Sequence, residues 1–178
     1  MTKKATLLLL TFCVIIGACN RENKKAEKIV SEWMGKTIQI PEDIDAYSLN
    51  RDTFMSSSNA NYKVFLYTDS TGCTSCKLRL QAWKNYIQEA DSLFGDEVDF
   101  LFYFKPQNEK ELQHLILRDK FDPIIYMDRA GKLQELNSFP SEMEYQCFLL
   151  DRENKVVSIG NPTLNLKIWE LYKQIINE

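Results

Sequence analysis

Cys73-Thr74-Ser75-Cys76 is the stretch of this 178-residue chain best suited to chemistry. Two cysteines three apart share one face of a helical turn and can close a small disulfide ring. The pair sits where an apolar run, Val64-Phe65-Leu66-Tyr67, hands over through the turn Ser70-Thr71-Gly72 to a helical pattern. Free N–H groups at the start of a helix stabilise a thiolate, so Cys73 is expected to ionise below the value of about 8.5 of a free cysteine. A thiolate at Cys73 serves as attacking and leaving group, and Cys76 resolves the mixed disulfide that forms. Gly72, Thr74 and Ser75 are expected at the rim of such a site. The electrons reside on the two sulfurs, so no cofactor is implied.

Three other uses of the pair stay open. As a structural staple it would close a loop so short that little chain entropy is removed. A zinc site would need two further ligands, and only His114 and Cys147 are on offer, without a second paired motif. The pair could also sit idle on a module kept for binding.

The elements around the pair follow from periodicity. Val64 to Tyr67 reads as a strand buried on both faces. Leu80, Trp83, Ile87, Ala90 and Phe94 recur in steps of three and four, an amphipathic helix starting at Cys76 and closed by Gly95. Val98 to Phe104 is a second buried strand. Asn108 is placed to cap a helix holding Leu112, Leu115 and Ile116, with Glu109 and Glu111 in its first turn. Pro123 to Met127 is a short third strand. Cys147–Leu150 and Lys155–Ile159 flank Asp151-Arg152-Glu153-Asn154 as a hairpin. Ile168 to Ile176 forms a closing helix. Ahead of these, Ile29 to Met34 has helical spacing ended by Gly35, Thr37 to Pro41 alternates as a strand would, and Pro41 to Ala60 reads as loop. Two strand–helix–strand crossovers imply parallel pairing and the hairpin adds antiparallel strands, so the fold class is α/β with a central mixed β-sheet flanked by helices.

Composition narrows the function classes. Hydrophobic residues make up 44% and charged residues 26%, ordinary globular values that exclude disorder and a polytopic membrane protein. The net charge of −3 gives no basic excess for nucleic acid. A single histidine argues against a multi-histidine metal site. Trp83 and Trp169 are assigned to packing on helix faces, His114 is expected near a core edge with no role, and Cys147 is assigned as a small buried hydrophobe on a strand. Tyr67 and Asp69 flank the approach to the pair, and either could tune its ionisation.

The first residues read as an address. Lys3 and Lys4 precede an uncharged run from Ala5 to Ile16, shorter than the roughly 20 residues that span a bilayer but suited to a secretory signal. Ile16-Gly17-Ala18-Cys19 resembles the lipobox of bacterial lipoproteins. The resemblance implies cleavage after Ala18, acylation of Cys19 with chains such as palmitate, and anchoring at a membrane surface. An ordinary signal cut that leaves a cysteine is the alternative. Loss of residues 1–18 removes two lysines, which leaves 20 basic and 25 acidic residues and a charge of −5. The expected organisation is a signal peptide over 1–18, a polar tether over 19–28, an N-terminal extension over 29–60 and a redox domain over 61–178.

From about Lys36 onward the chain resembles the thioredoxin-like superfamily, and within it the membrane-tethered redoxins of the TlpA and ResA type found in Bacteroidetes lipoproteins. The resemblance rests on the strand Val64–Tyr67 followed by the paired cysteines, on Pro123-Ile124-Ile125-Tyr126-Met127-Asp128, and on Phe148–Asp151 with Lys155-Val156-Val157. It implies a thioredoxin-like fold and thiol–disulfide exchange outside the cytoplasm. Cys73 is then the nucleophile and Cys76 the resolver. The implied partners are protein thiols and disulfides and an unidentified redox partner. The implied place is the bacterial cell envelope, with the domain in the periplasm. The alternative on the same fold is a binding or accessory lipoprotein without redox turnover. Three positions depart from the family. Gly72 stands where tryptophan usually precedes the first active cysteine, and Gln81 where a proline is common. Tyr145 stands where a cis-proline precedes the late strand, the nearest proline being Pro140. A trans bond is expected at Tyr145, because non-proline cis bonds cost about 2.5–4 kcal/mol.

Overall fold

The computed structural model describes residues 23–49, 59–69 and 78–178. The chain divides into two compact units, Met1–Trp33 and Met34–Glu178. In the first, residues 23–33 form helix α1, where the Ser31 hydroxyl donates to the Lys28 carbonyl and Lys28 pairs with Glu32 one turn on.

The second unit is built on a six-stranded mixed sheet. In chain order its elements are β1 (Asp45–Tyr47), β2 (Tyr62–Asp69), α2 (Leu80–Phe94), β3 (Val98–Lys105), α3 (Glu109–Arg118), β4 (Ile125–Met127), α4 (Lys132–Asn137), β5 (Cys147–Asp151), β6 (Val156–Ile159) and α5 (Leu166–Ile176). The spatial order is β1-β4-β3-β2-β5-β6. β2 pairs with β3, and β3 with β4, in parallel; the β1–β4, β2–β5 and β5–β6 pairs are antiparallel. The mixed α/β architecture read from the sequence is the one observed.

Strand alternation splits β2 between two packed layers. Val64 and Leu66 join a core with Trp83 and Ala90 of α2, Leu112 and Ile116 of α3, and Trp169 and Tyr172 of α5. Phe65 and Tyr67 enter an aromatic layer instead. Phe65 stacks on Tyr103 at 5.0 Å, Tyr67 on Phe139 at 4.7 Å, and Tyr103 on Tyr126 at 4.6 Å. Both faces of the central strand are therefore buried, as its unbroken apolar run requires.

Local signals set several boundaries as the sequence indicates. Gly95 ends α2 in a positive-φ conformation, its N–H returning to the Asp91 carbonyl. The Asn108 side chain accepts from the Glu111 N–H at 3.2 Å and opens α3. Asp151 shapes the β5–β6 turn by accepting from the N–H groups of Glu153 and Lys155. The buried Lys63 ammonium holds that turn from below, donating to the Arg152 carbonyl and to the Asn154 side chain, both at 2.8 Å.

Other expectations are corrected. Thr37–Pro41 is not a strand, because only Thr37 makes a bridge, to Lys155, before Ile38 turns inward to donate to the Asn154 carbonyl. The stretch 41–60, read as loop, contains β1, which is held on β4 and by the ion pair between Asp45 and Arg129. Helix α4 was not anticipated. Its first turn is satisfied from outside by Asp128, whose carboxylate accepts from the Lys132 and Leu133 N–H groups at 2.8 and 3.0 Å. At its other end the buried Asn137 side chain bonds both the N–H and the carbonyl of Gln39.

Candidate functional site

In open α/β sheets, ligands gather outside the carboxyl ends of the strands. Here that end is formed by Asp69 at the close of β2, Lys105 at the close of β3, Asp128 just after β4, and Tyr145 and Gln146 ahead of the antiparallel β5. Gly72, Cys73, Thr74, Ser75 and Cys76 belong to the segment joining β2 to α2 and lie outside the described residues, as does Cys19. Their flanks are described. Upstream, Thr68 is buried. Downstream, Leu78 is helical and 2% exposed, Arg79 is left-handed with φ 43° and ψ 44°, and Leu80 starts α2 at 3% exposure.

The helix expected from Cys76 begins outside the described residues; Leu78 is helical, Arg79 interrupts the helix, and α2 runs on from Leu80. The Arg79 carbonyl accepts the first α2 bonds from Ala82 and Trp83, while its guanidinium donates to the Thr163 carbonyl at 2.7 Å. A non-glycine residue in the left-handed region costs roughly 1–2 kcal/mol. The chain accepts that conformation between two leucines fixed in the core.

Tyr145 is half-buried at the end of a short 3-10 turn, Met143–Tyr145, and its N–H donates to the Glu142 carbonyl at 2.9 Å. No cis peptide bond occurs among the described residues, so the bond at Tyr145 is trans, as expected from its side chain. The sequence reading missed its neighbour. Gln146 is 3% exposed, its side-chain amide donates to the Pro140 carbonyl at 2.8 Å, and its own carbonyl accepts from the Tyr67 N–H at 3.0 Å. Gln146 thus fastens the rim turn to the end of β2. A buried amide directly before a strand was the available signal.

The remaining candidates separate cleanly. Cys147 is fully buried, pairs across from Leu66, and has its thiol pushed up to about 12 by burial. His114 is exposed on α3. Trp83 is fully buried, and Trp169 donates to the Glu89 carboxylate at 2.9 Å while packing on Tyr86. Tyr67 is fully buried, and its hydroxyl has no hydrogen-bond partner among the described residues. Burial and the charges of Asp128 and Asp69 raise its ionisation well above that of a free phenol. Among the described residues no helix is long and apolar enough to cross a membrane, and no cluster of three or more metal-ligating side chains occurs.

No family model matches the chain, and no curated protein does. Solved structures do. The thioredoxin domain of a thiol-disulfide oxidoreductase from Bacteroides vulgatus is similar with a TM-score of 0.53 at 13% identity, over 78% of this chain and 97% of that one. A thiol:disulfide interchange protein from Bacteroides sp. is similar with a TM-score of 0.52 at 15% identity, over 82% and 91%. A peroxiredoxin Q from Xanthomonas campestris reaches a TM-score of 0.56 at 12% identity, over 81% and 97%. The sheet order, the position of the paired cysteines after β2 in the sequence and these likenesses agree that the chain has the thioredoxin-like fold.

Proposed function

We propose that this chain is an extracytoplasmic, lipid-anchored thiol–disulfide oxidoreductase that works through Cys73 and Cys76. One observation carries the reading: a central strand buried on both faces, β2, runs directly into the segment that holds the two cysteines. In the proposed cycle the Cys73 thiolate attacks a partner disulfide, forming a mixed disulfide and releasing one partner thiolate. Cys76, deprotonated, then attacks the Cys73 sulfur, releasing the second partner thiolate and closing the Cys73–Cys76 bond. The partner gains two electrons and the pair loses two. The reverse sequence oxidises a partner dithiol. The partners are protein thiols and disulfides, in keeping with the oxidoreductases that share the fold. The envelope location and the anchor rest on Lys3, Lys4, the uncharged run and Cys19.

A second reading, a binding or accessory lipoprotein with an idle pair, is favoured by the rim. The turn at Tyr145 is trans and is filled by the buried Gln146, so the late strand offers a partner peptide a different edge. Cys76→Ser separates the two. The redox reading expects mixed disulfides with partners from Cys76→Ser and none from Cys73→Ser, together with selective alkylation of Cys73 near neutral pH. Equal, peptide-like alkylation at both cysteines with no mixed disulfide overturns it. The anchor is tested separately: Cys19→Ala should move the protein from the membrane to the soluble fraction, and a wild-type chain that is freely soluble after export refutes lipidation.

A further inference from the structure

Strand β4 covers only part of the strand beside it. β3 is eight residues long and is paired with β2 along its whole length. β4 is three residues long and lies against Phe102, Tyr103 and Phe104. Residues 98–101 of β3 therefore face β2 on one side and have no β4 residue opposite them on the other, over roughly 13 Å of strand. In a parallel ladder the N–H and C=O of one residue point the same way, and successive residues alternate sides. The Phe104 carbonyl accepts from the Asp128 N–H on the β4 side, so the backbone groups of Phe100 and Val98 turn to that side as well.

A groove of about 740 Å³ lies along this uncovered stretch, a size suited to binding. Its walls come from both faces of the sheet. Phe100 and Ile87 of α2 pack on the core that holds Trp83, whereas Leu101 and Tyr126 lie on the aromatic side, where Tyr126 stacks on Tyr103. A cleft on one face would touch one set only. An opening in the plane of the sheet touches both, and the chain that fits such a plane is an extended one. The edge is capped in a displaceable way: the Asp99 carboxylate turns back to accept from the Phe100 N–H at 2.7 Å.

The charges select the occupant. Asp91, Asp99 and Asp122 line the groove together with Lys84 and Lys120, and Lys84 already donates to the Asp119 carbonyl at 3.2 Å. Carboxylates outnumber lysines, so the groove favours a cationic guest. We propose that it is a docking site for an extended, basic segment of a partner protein, which adds to the edge of β3 in the plane of the sheet. N–H groups of the segment donate to the Val98 and Phe100 carbonyls. One of its carbonyls takes over the Phe100 N–H from Asp99, and the released carboxylate pairs with a lysine or arginine of the segment. In strand addition of this kind the main-chain bonds supply affinity and the side-chain contacts supply choice. Val98 lies opposite Tyr62 at the start of β2, whereas the paired cysteines follow the end of β2. A docked partner is thus held at the end of the sheet away from the redox segment.

A blocked hexapeptide of alternating valine and lysine, added to the full chain and followed by amide NMR and hydrogen exchange, tests this. Shifts should concentrate at residues 98–101 and 122–126, and the Phe100 amide should exchange about tenfold more slowly with the peptide bound. N-methylation of alternate peptide amides removes the donors to β3 and should abolish binding. Glutamate in place of the peptide's lysines should weaken binding about tenfold. Asp99→Asn keeps an oxygen for the Phe100 N–H and loses the charge; it should weaken binding of the lysine peptide about threefold. No shifts at residues 98–101, binding that survives N-methylation, equal binding of the glutamate peptide, or unchanged affinity in Asp99→Asn overturns the proposal. Protection of the Phe100 amide that grows with protein concentration in the absence of peptide assigns the edge to a second copy of the chain and overturns it too.

Discussion

The Tyr172 hydroxyl lies 3.9 Å from the Cys147 sulfur and donates to the Gly160 carbonyl at 2.8 Å, so the Cys147 thiol is closed in by α5. Gly160 itself is tight against Ile168, where a Cβ would meet the side chain at 2.7 Å. Cys147 is thereby sealed beneath a packed corner, and its chemistry is that of a small apolar side chain. Iodoacetamide should leave Cys147 unmodified in the folded protein and label it once urea unfolds the chain. Cys147→Ala should cost about 1 kcal/mol and leave the glutathione equilibrium of the Cys73–Cys76 pair at the wild-type value. Labelling of Cys147 in the native protein would mean that this corner opens.

The break at Arg79 makes a sharp stability prediction. Glycine adopts φ 43° without penalty and alanine does not, whereas both lose the bond to the Thr163 carbonyl. Arg79→Gly should therefore be more stable than Arg79→Ala by about 1 kcal/mol. Equal urea midpoints for the two variants would show that the left-handed conformation is not maintained in solution.

At the rim, Tyr145→Pro removes the N–H that donates to the Glu142 carbonyl, a loss of about 1 kcal/mol. The Cys73–Cys76 bond should still form. Partner capture by a Cys76→Ser background should change in yield or in the set of partners. Capture identical with and without Tyr145→Pro would remove this turn from the recognition surface.

Alkali should unfold the protein. Burial raises the ionisation of Cys147 to about 12 and lifts Tyr67, Tyr103, Tyr126 and Tyr172 above their usual value near 10. Each group holds its proton longer in the folded chain than in the unfolded one. The stability they share is complete below the unfolded pKa values and falls as pH rises through them. Each contributes a slope of up to about 1.4 kcal/mol per pH unit. Urea midpoints should be flat from pH 7 to about 8.5 and drop steeply above about 10. Tyr103→Phe should make that drop shallower.

The parts legible in the sequence are those where local chemistry and burial point the same way. Val64–Tyr67 and Val98–Phe104 are apolar without interruption and became central strands. Asn108 stands where a cap is needed and caps. The parts not legible depend on distant partners. Asp45-Ala46-Tyr47 has no strand pattern of its own and is a strand because Met127 to Ile125 lie opposite it and Arg129 holds Asp45. Helix α4 is six residues long, too short for periodicity, and relies on Asp128 and on the Asn137–Gln39 bonds. Arg79 carries none of the glycine or proline signals that mark a break. At the candidate site, the hairpin that places Tyr145 just ahead of β5 was legible in the sequence, while Gln146 was hidden because its role depends on Tyr67 and Pro140.

The bonds that tie residues 35–38 to the hairpin have a consequence for how copies of this protein meet. Gly35 donates to the Val156 carbonyl, Val156 donates to the Lys36 carbonyl, and Thr37 bridges Lys155, so the start of the outermost strand is already occupied on its free side. At the opposite border β1 is only three residues long and carries the paired Asp45. Open strand borders are where sheets join and begin to aggregate. Among the described residues the hairpin border is guarded by the chain's own early segment, so proteolytic loss of the residues before Gln39 would leave the Val156 backbone groups open to a second chain.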